Sequence, residues 1–353
     1  MKIYAIARNA GGANGLREVI RLLLAAGHEV HVFAEAKGIA EPILRAKWEV
    51  NPVETIDDVL QKGHPSLLLM STCSEVGWEL VPILRHHGVS TIALQDNWAT
   101  GILNAVGEPQ RRPDYICVGD YVDAEITLRA WPGYHLSQVK VTGWPAFDKY
   151  AKYDVGKARM EVREAIGLRE DIPLILYGID NAGYSGIQCL EVVEALNEIG
   201  RDFYLLPRMH PAMAKDAPGQ ISLCEAALRE LRTGALVENP PGMEVSSLIA
   251  ASDVVVSTYS TILVEAAVLR KQNISILREE IEMQSFRKEK NLDESPLVSL
   301  GCSAKAKNRR EIATLLKQAL EGDLELRKAQ EETFNLDGGN AERVAQVVIQ
   351  SRA

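Results

Sequence analysis

At 353 residues the chain exceeds what one hydrophobic core ordinarily organises, and it suits two domains of roughly 150 to 180 residues each. Apolar content of 46% and charged content of 25% are those of a soluble globular protein, without the apolar run of about 20 residues that a bilayer span needs. A formal net charge of −9 argues against nucleic acid as a partner, because phosphate contacts need an extended basic surface.

In chain order, MKIYAIA (1–7) predicts a strand, Leu16 to Ala26 an amphipathic helix closed by Gly27, and EVHVFAE (29–35) a second strand. A shorter helix and strand fit 39–53. SLLLMST (66–72) is strongly apolar and leads into a helix from Glu75 to His87. VSTIALQ (89–95), DYICVGD (114–120) and QVKVTGW (138–144) complete a first set of strands. The pattern restarts after a charged stretch with a helix from Val155 to Ile166. Strands are then predicted at PLILYGI (173–179), DFYLLPR (202–208), ALVEN (235–239), DVVVS (253–257), NISIL (273–277) and PLVSL (296–300), and a last helix at Ala341 to Ser351. Apolar strands alternating with helices predict an α/β chain of two doubly wound, Rossmann-like domains with parallel sheets facing an interdomain cleft. The expected division is an N-terminal domain at 1–150, a linker with its helix at 151–171, a C-terminal domain at 172–336, and a helix at 337–353 that packs back on the first domain.

Cys73, Cys117, Cys189, Cys224 and Cys302 are scattered without CxxC spacing, which predicts buried free thiols rather than a metal cluster or disulfide framework. The first strand begins at Lys2 and leaves no room for a signal peptide, so a cytoplasmic location is expected.

The most informative segment runs from residue 251 to 277. Val254–Val256 reads as a buried strand that breaks at Ser257, Thr258, Tyr259, Ser260 and Thr261 before helical spacing resumes. Free N–H groups at a helix start, the helix dipole and hydroxyl side chains together make an anion site. Ser257, Ser260 and Thr261 are the expected diphosphate ligands, and Glu265, one turn in, is placed to take a sugar or ribose hydroxyl. LLPRMHPAM (205–213) sets Arg208 and His210 at a strand end, where the first can neutralise a phosphate and the second can act as general acid. GIDNAGYSG (178–186) offers a polar, glycine-rich loop with Asn181. In the first half, Gly11 and Gly12 give a tight turn after the first strand, with Asn14 as helix cap, and a plain strand-to-helix turn explains them as well. Asp96, in ALQDNWATG (93–101), is the general-base candidate; helix capping is the other reading of that loop.

These segments resemble GT-B glycosyltransferases and their relatives. The helix start after Val254–Val256 is similar to a nucleotide-diphosphate site, Arg208-x-His210-Pro211 resembles a segment of CDP-glycerol glycerophosphotransferases, and VTGWPAFD (141–148) resembles the V-T-G-N-P-x-x-D of those enzymes and of UDP-N-acetylglucosamine 2-epimerases. Trp144 stands for the usual Asn, and Gln95-Asp96-Asn97-Trp98 matches neither family's pattern. Asp148 is expected to start the linker helix. The resemblance implies transfer of a sugar or polyol phosphate from a nucleotide-activated donor to a glycan or lipid-linked acceptor in surface-polysaccharide or cell-envelope synthesis. It implies no cofactor beyond that substrate and no metal, since GT-B enzymes manage the leaving group with helix dipoles and basic side chains. The alternatives are a UDP-N-acetylglucosamine 2-epimerase and a non-catalytic nucleotide-sugar-binding protein. Arg111-Arg112 and Lys305 to Arg310 are the basic spots available for a peripheral membrane contact at the inner face, and solvated loops explain them equally. Oligomeric state is not legible.

Overall fold

The computed structural model describes residues 1–351. They form two compact units, one from Met1–Lys152 together with the segment from Leu336 onward, the other from Tyr153–Asn335.

The first unit holds seven strands: β1 (Lys2–Ala7), β2 (Glu29–Glu35), β3 (Val50–Val53), β4 (Leu67–Ser71), β5 (Ser90–Leu94), β6 (Tyr115–Val118) and β7 (Val139–Val141). They lie in the order β3-β2-β1-β4-β5-β6-β7, every pair parallel. Central strands read as unbroken apolar runs because helices cover both faces; all five residues of β4 are buried. The Ala10–Ala25 helix lays Leu16, Val19, Ile20 and Leu23 on this sheet, at the spacing of one helical face. Ala341, Val344, Ala345 and Val348 of the Asn340–Gln350 helix join the same core.

The second unit repeats the plan with β8 (Leu174–Ile179), β9 (Tyr204–Met209), β10 (Ala235–Leu236), β11 (Val254–Ser257), β12 (Gln272–Ile276) and β13 (Ala304–Ala306). Its order is β10-β9-β8-β11-β12-β13, again parallel. Both sheets therefore reverse direction at one strand pair, β1/β4 in the first unit and β8/β11 in the second. Such a switch point leaves a crevice at the C-terminal strand ends.

PLVSL and Asp148 differ from the sequence reading. PLVSL is no strand: Pro296–Ser299 is a helical turn, and β13 follows it. Proline lacks the N–H a ladder needs but suits the first helical position, which Pro296 occupies. Asp148 does not start the linker helix, whose N-cap is Asp154. Instead its carboxylate accepts the backbone N–H groups of Asn340 and Ala341 at 3.0 and 2.8 Å, which fastens the C-terminal helix to the Pro145–Lys152 segment. Among the described residues no helix is long and apolar enough to cross a membrane.

Candidate active site

In the second unit, β8, β9 and β11 are neighbours and their C-terminal ends carry most of the residues singled out above. Ser260 is the N-cap of the Thr261–Val268 helix, its hydroxyl accepting the N–H of Ile262, and Thr261 is exposed at the first helical position. Glu265 follows one turn later, and its charge acts on Arg208 of β9. The Arg208 guanidinium is half-buried: partial desolvation lowers its pKa, and Glu265 opposes that. A cation that has lost part of its hydration is suited to a multiply charged anion.

Ser257 departs from the expectation. It is 1% exposed and its hydroxyl donates to the Gly178 carbonyl at 2.7 Å, tying β11 to β8. With its proton committed, Ser257 has only lone pairs to offer, and an anion needs donors. Diphosphate binding therefore falls to Ser260, Thr261 and the helix start.

His210 leaves β9 with its N–H donated to the Ile179 carbonyl at 2.9 Å. Its Nδ1 accepts the N–H of Ala212 at 3.1 Å, so a neutral ring carries its proton on Nε2. Around it lies a polar group that the sequence reading missed. Asp180 accepts from the Asn181 N–H at 2.8 Å and from the Tyr184 hydroxyl at 3.2 Å. The Tyr259 hydroxyl donates to Glu289 at 2.8 Å. Burial raises the pKa of Asp180, Tyr184 and Tyr259. The available signal was position: Asp180 directly follows β8, as Asp96 follows β5 by one residue. Asn181, named for its loop, donates to Asp216 at 3.1 Å.

In the first unit, Asp96 lies at the N-terminus of the Ala10–Ala25 helix. Asn9 Nδ2 donates to its Oδ2 at 3.1 Å and to the Cys73 sulfur at 2.9 Å, and the Cys73 thiol lies 3.9 Å from Oδ1. The helix begins six residues earlier than its apolar periodicity suggested. Its cap is Asn9, whose Oδ1 accepts the Gly12 N–H, and Asn14 is exposed within the helix rather than capping it. Gly11 and Gly12 accordingly belong to the first helical turn and not to a loop. They are glycines because of close approach: a Cβ on Gly11 would stand 2.2 Å from Asp96 Oδ2, and one on Gly12 2.4 Å from Ser71 Oγ.

The loop that presents Asp96 is tightly held. Trp98 is buried and its indole N–H donates to Asp120 at 2.9 Å, with its ring edge-on to Trp144 at 4.9 Å. Ala99 adopts a left-handed φ of 55°, its N–H held by Asp123 at 3.2 Å. Such strain in a non-glycine residue persists only where surroundings enforce it, and it concentrates at functional loops. Glu35, at the end of β2, holds the place where dinucleotide enzymes keep a ribose ligand. Here it accepts from Ser74 Oγ at 2.6 Å and Val76 N at 3.1 Å, and so caps the Glu75–His86 helix. Among the described residues no group of three or more His, Cys, Asp or Glu side chains is placed to hold a metal ion.

Comparison with known proteins settles the class. The model of the family described as CDP-Glycerol:Poly(glycerophosphate) glycerophosphotransferase matches residues 79–350. The chain belongs to this family. It is a transferase-type enzyme of sugar or polyol-phosphate transfer in cell-envelope synthesis. No curated protein matches the sequence. Among solved structures, the chain is similar to the S. aureus MnaA–UDP complex, at 17% identity over 100% of this chain and 97% of that one, with a TM-score of 0.70. The UDP-GlcNAc 2-epimerase from Neisseria meningitidis bound to UDP-GlcNAc gives 14% identity, 99% and 100% coverage, and a TM-score of 0.69. The wall teichoic acid polymerase TagF with CDPG gives 12%, 99%, 88% and 0.64. At these identities the likeness shows the fold, which is GT-B-like as the sequence predicted.

Proposed function

We propose that the chain transfers a polyol phosphate, with glycerol phosphate the first candidate, from a cytidine diphosphate-activated donor to a hydroxyl of a glycan or lipid-linked acceptor. The observation that carries this reading is the placing of Arg208, His210 and the Ser260–Thr261 helix start at the C-terminal ends of β9 and β11, the two strands that flank β8, in a chain whose family is the glycerophosphotransferases. The acceptor oxygen forms a bond to the outer phosphorus of the donor. The bond from that phosphorus to the nucleoside monophosphate breaks, and its electron pair leaves on the monophosphate.

Arg208 and the helix start hold the phosphates, Glu265 takes a donor hydroxyl, and His210 donates a hydrogen bond from Nε2 to the leaving oxygen as charge develops on it. Asp96 receives the acceptor's proton. The charge on the leaving group is met by these side chains and backbone dipoles, so no metal is assigned. The enzyme works in the cytoplasm, at the inner membrane face when its acceptor is lipid-linked. The same geometry serves a nucleotide-sugar donor, with a nucleoside diphosphate as leaving group. A 2-epimerase is the second reading, supported by the likeness in fold to two proteins solved with UDP or UDP-GlcNAc.

A panel of CDP-, UDP-, GDP- and dTDP-linked donors, read by thermal shift and nucleotide release together, tests the proposal. CDP-glycerol is expected to stabilise the chain and to release CMP when an acceptor is present. UDP-GlcNAc epimerised without any acceptor would favour the second reading. No thermal shift with any nucleotide would overturn the donor site.

A further inference from the structure

Each unit starts a helix directly after a switch-point strand, the Ala10–Ala25 helix after β1 and the Thr261–Val268 helix after β11. A helix start of this kind draws anions through its free N–H groups and its dipole. In the second unit Ser260 caps the start and Thr261 is exposed at the first helical position. In the first unit the chain itself takes the place. Asp96 Oδ2 lies 2.2 Å from where a Cβ on Gly11 would stand, so the carboxylate rests on the first turn, and Asn9 Nδ2 donates to it at 3.1 Å.

The surroundings add negative charge. Asp120 and Asp123 hold the Asp96 loop through the Trp98 indole and the Ala99 N–H. Arg8, directly after β1, is already paired with Glu35 at 3.8 Å and with Glu75. The next residue of the helical turn faces Ser71, whose Oγ would lie 2.4 Å from a Cβ on Gly12. Ser71 is fully buried, and its hydroxyl has no hydrogen-bond partner among the described residues. A buried hydroxyl without a partner is uncommon in a native fold and marks a place that a bound group completes.

We propose that Asp96 is a specificity-determining residue: its carboxylate bars phosphate from the start of the Ala10–Ala25 helix, so that the first unit admits an uncharged, hydroxyl-bearing end of the acceptor, with Ser71 as a second contact. This rests on the reading of Asp96 as the group that meets the acceptor. A phosphate brought against the carboxylate meets like charge, and the cation nearby is already paired. A hydroxyl finds an acceptor for its proton in Asp96, and in Ser71 a group that both donates and accepts. The donor's phosphates are thereby confined to the second unit.

The test is amide NMR of the full chain titrated with inorganic phosphate. In the native chain Thr261 is expected to shift, with Ala10 and Gly11 unmoved. In Asp96→Ser, or in Asp96→Ala should the first not fold, Ala10 and Gly11 should shift as well, their affinity for phosphate raised by about tenfold or more. Phosphate shifts at Ala10 and Gly11 in the native chain, or none there in the folded variant, would overturn the proposal. An unmoved Thr261 would instead count against the donor site, so the two readings fail separately. Two acceptors alike except for a phosphate monoester on the terminal glycerol then probe the acceptor end. The charged one should compete about tenfold more weakly in CMP release, and equal competition would also overturn the proposal. Ser71→Ala should raise the acceptor KM severalfold at an unchanged donor KM; an unchanged acceptor KM would remove Ser71 from the site.

Discussion

Asp96 Oδ2 lies 2.2 Å from the position that a Cβ on Gly11 would occupy. The first turn of the Ala10–Ala25 helix and the loop after β5 thus approach as closely as a missing side chain permits. The carboxylate proposed to receive the acceptor's proton is seated against backbone.

Gly11→Ala must push Asp96 out of that seat. Alanine favours helix over glycine by up to about 1 kcal/mol, so the loss should fall on turnover rather than stability. Turnover is expected to drop by tenfold or more, since displacing a catalytic group by about 1 Å costs on that order or beyond. Steady-state kinetics beside a thermal melt check it; unchanged turnover would remove Asp96 from the chemistry.

Gly119 faces Trp144, whose Cε2 would lie 1.9 Å from a Cβ at that position. Trp144 is 4% exposed and wedged by Trp98 and Phe147, so it has little room to move. Gly119→Ala is expected to cost about 1–3 kcal/mol through overpacking, read by urea unfolding with tryptophan fluorescence. A neutral substitution would mean the aromatic cluster is loose.

Asp148 caps the C-terminal helix across 192 residues of sequence. Asp148→Ala should cost about 1–2 kcal/mol, with faster amide exchange in Asn340–Gln350 than elsewhere in the unit. Uniform exchange across the unit would show that the cap does not fasten this helix locally.

How much of this was legible follows from range. The Val254–Val256 strand, the Ser260 turn and the helix after it are local signals, and they stand where the sequence placed them. Pro296 was misread because an apolar pentad looks alike as a strand or a helical turn until the proline's missing N–H is weighed. Asn14 reads as the cap because glycines are poor helix formers; Gly11 and Gly12 stand in the helix because Asp96 and Ser71, distant in sequence, leave no space for side chains there. The last residue of β11 could not be assigned a partner from sequence, so the bond from Ser257 to Gly178 was invisible, as was the link from Asp148 to Asn340. Asp180 stands at a strand end, as Asp96 does, but the glycines of its loop are the stronger local signal.

Glu35 supplies a pH test. Burial raises its pKa above the ordinary 4.5, against opposing hydrogen bonds from Ser74 and Val76 and the Arg8 charge. A group whose folded pKa is raised contributes its full stability below the unfolded value and loses it as pH rises through the folded value. Glu35→Gln keeps an acceptor for both hydrogen bonds and stays neutral throughout. The stability of the native chain minus that of Glu35→Gln should therefore decrease from about pH 4 to about pH 7, by urea melts at each pH. An increase over that range would mean that Arg8 outweighs burial.

The most direct measurement of the central claim is CMP release from CDP-glycerol, with and without a glycerol phosphate-bearing acceptor, in the native chain and in His210→Ala. The account predicts acceptor-dependent CMP release that falls by about a hundredfold or more in His210→Ala while the variant still binds donor. Release at the native rate in His210→Ala, or no CMP release from the native chain with acceptor present, would contradict it.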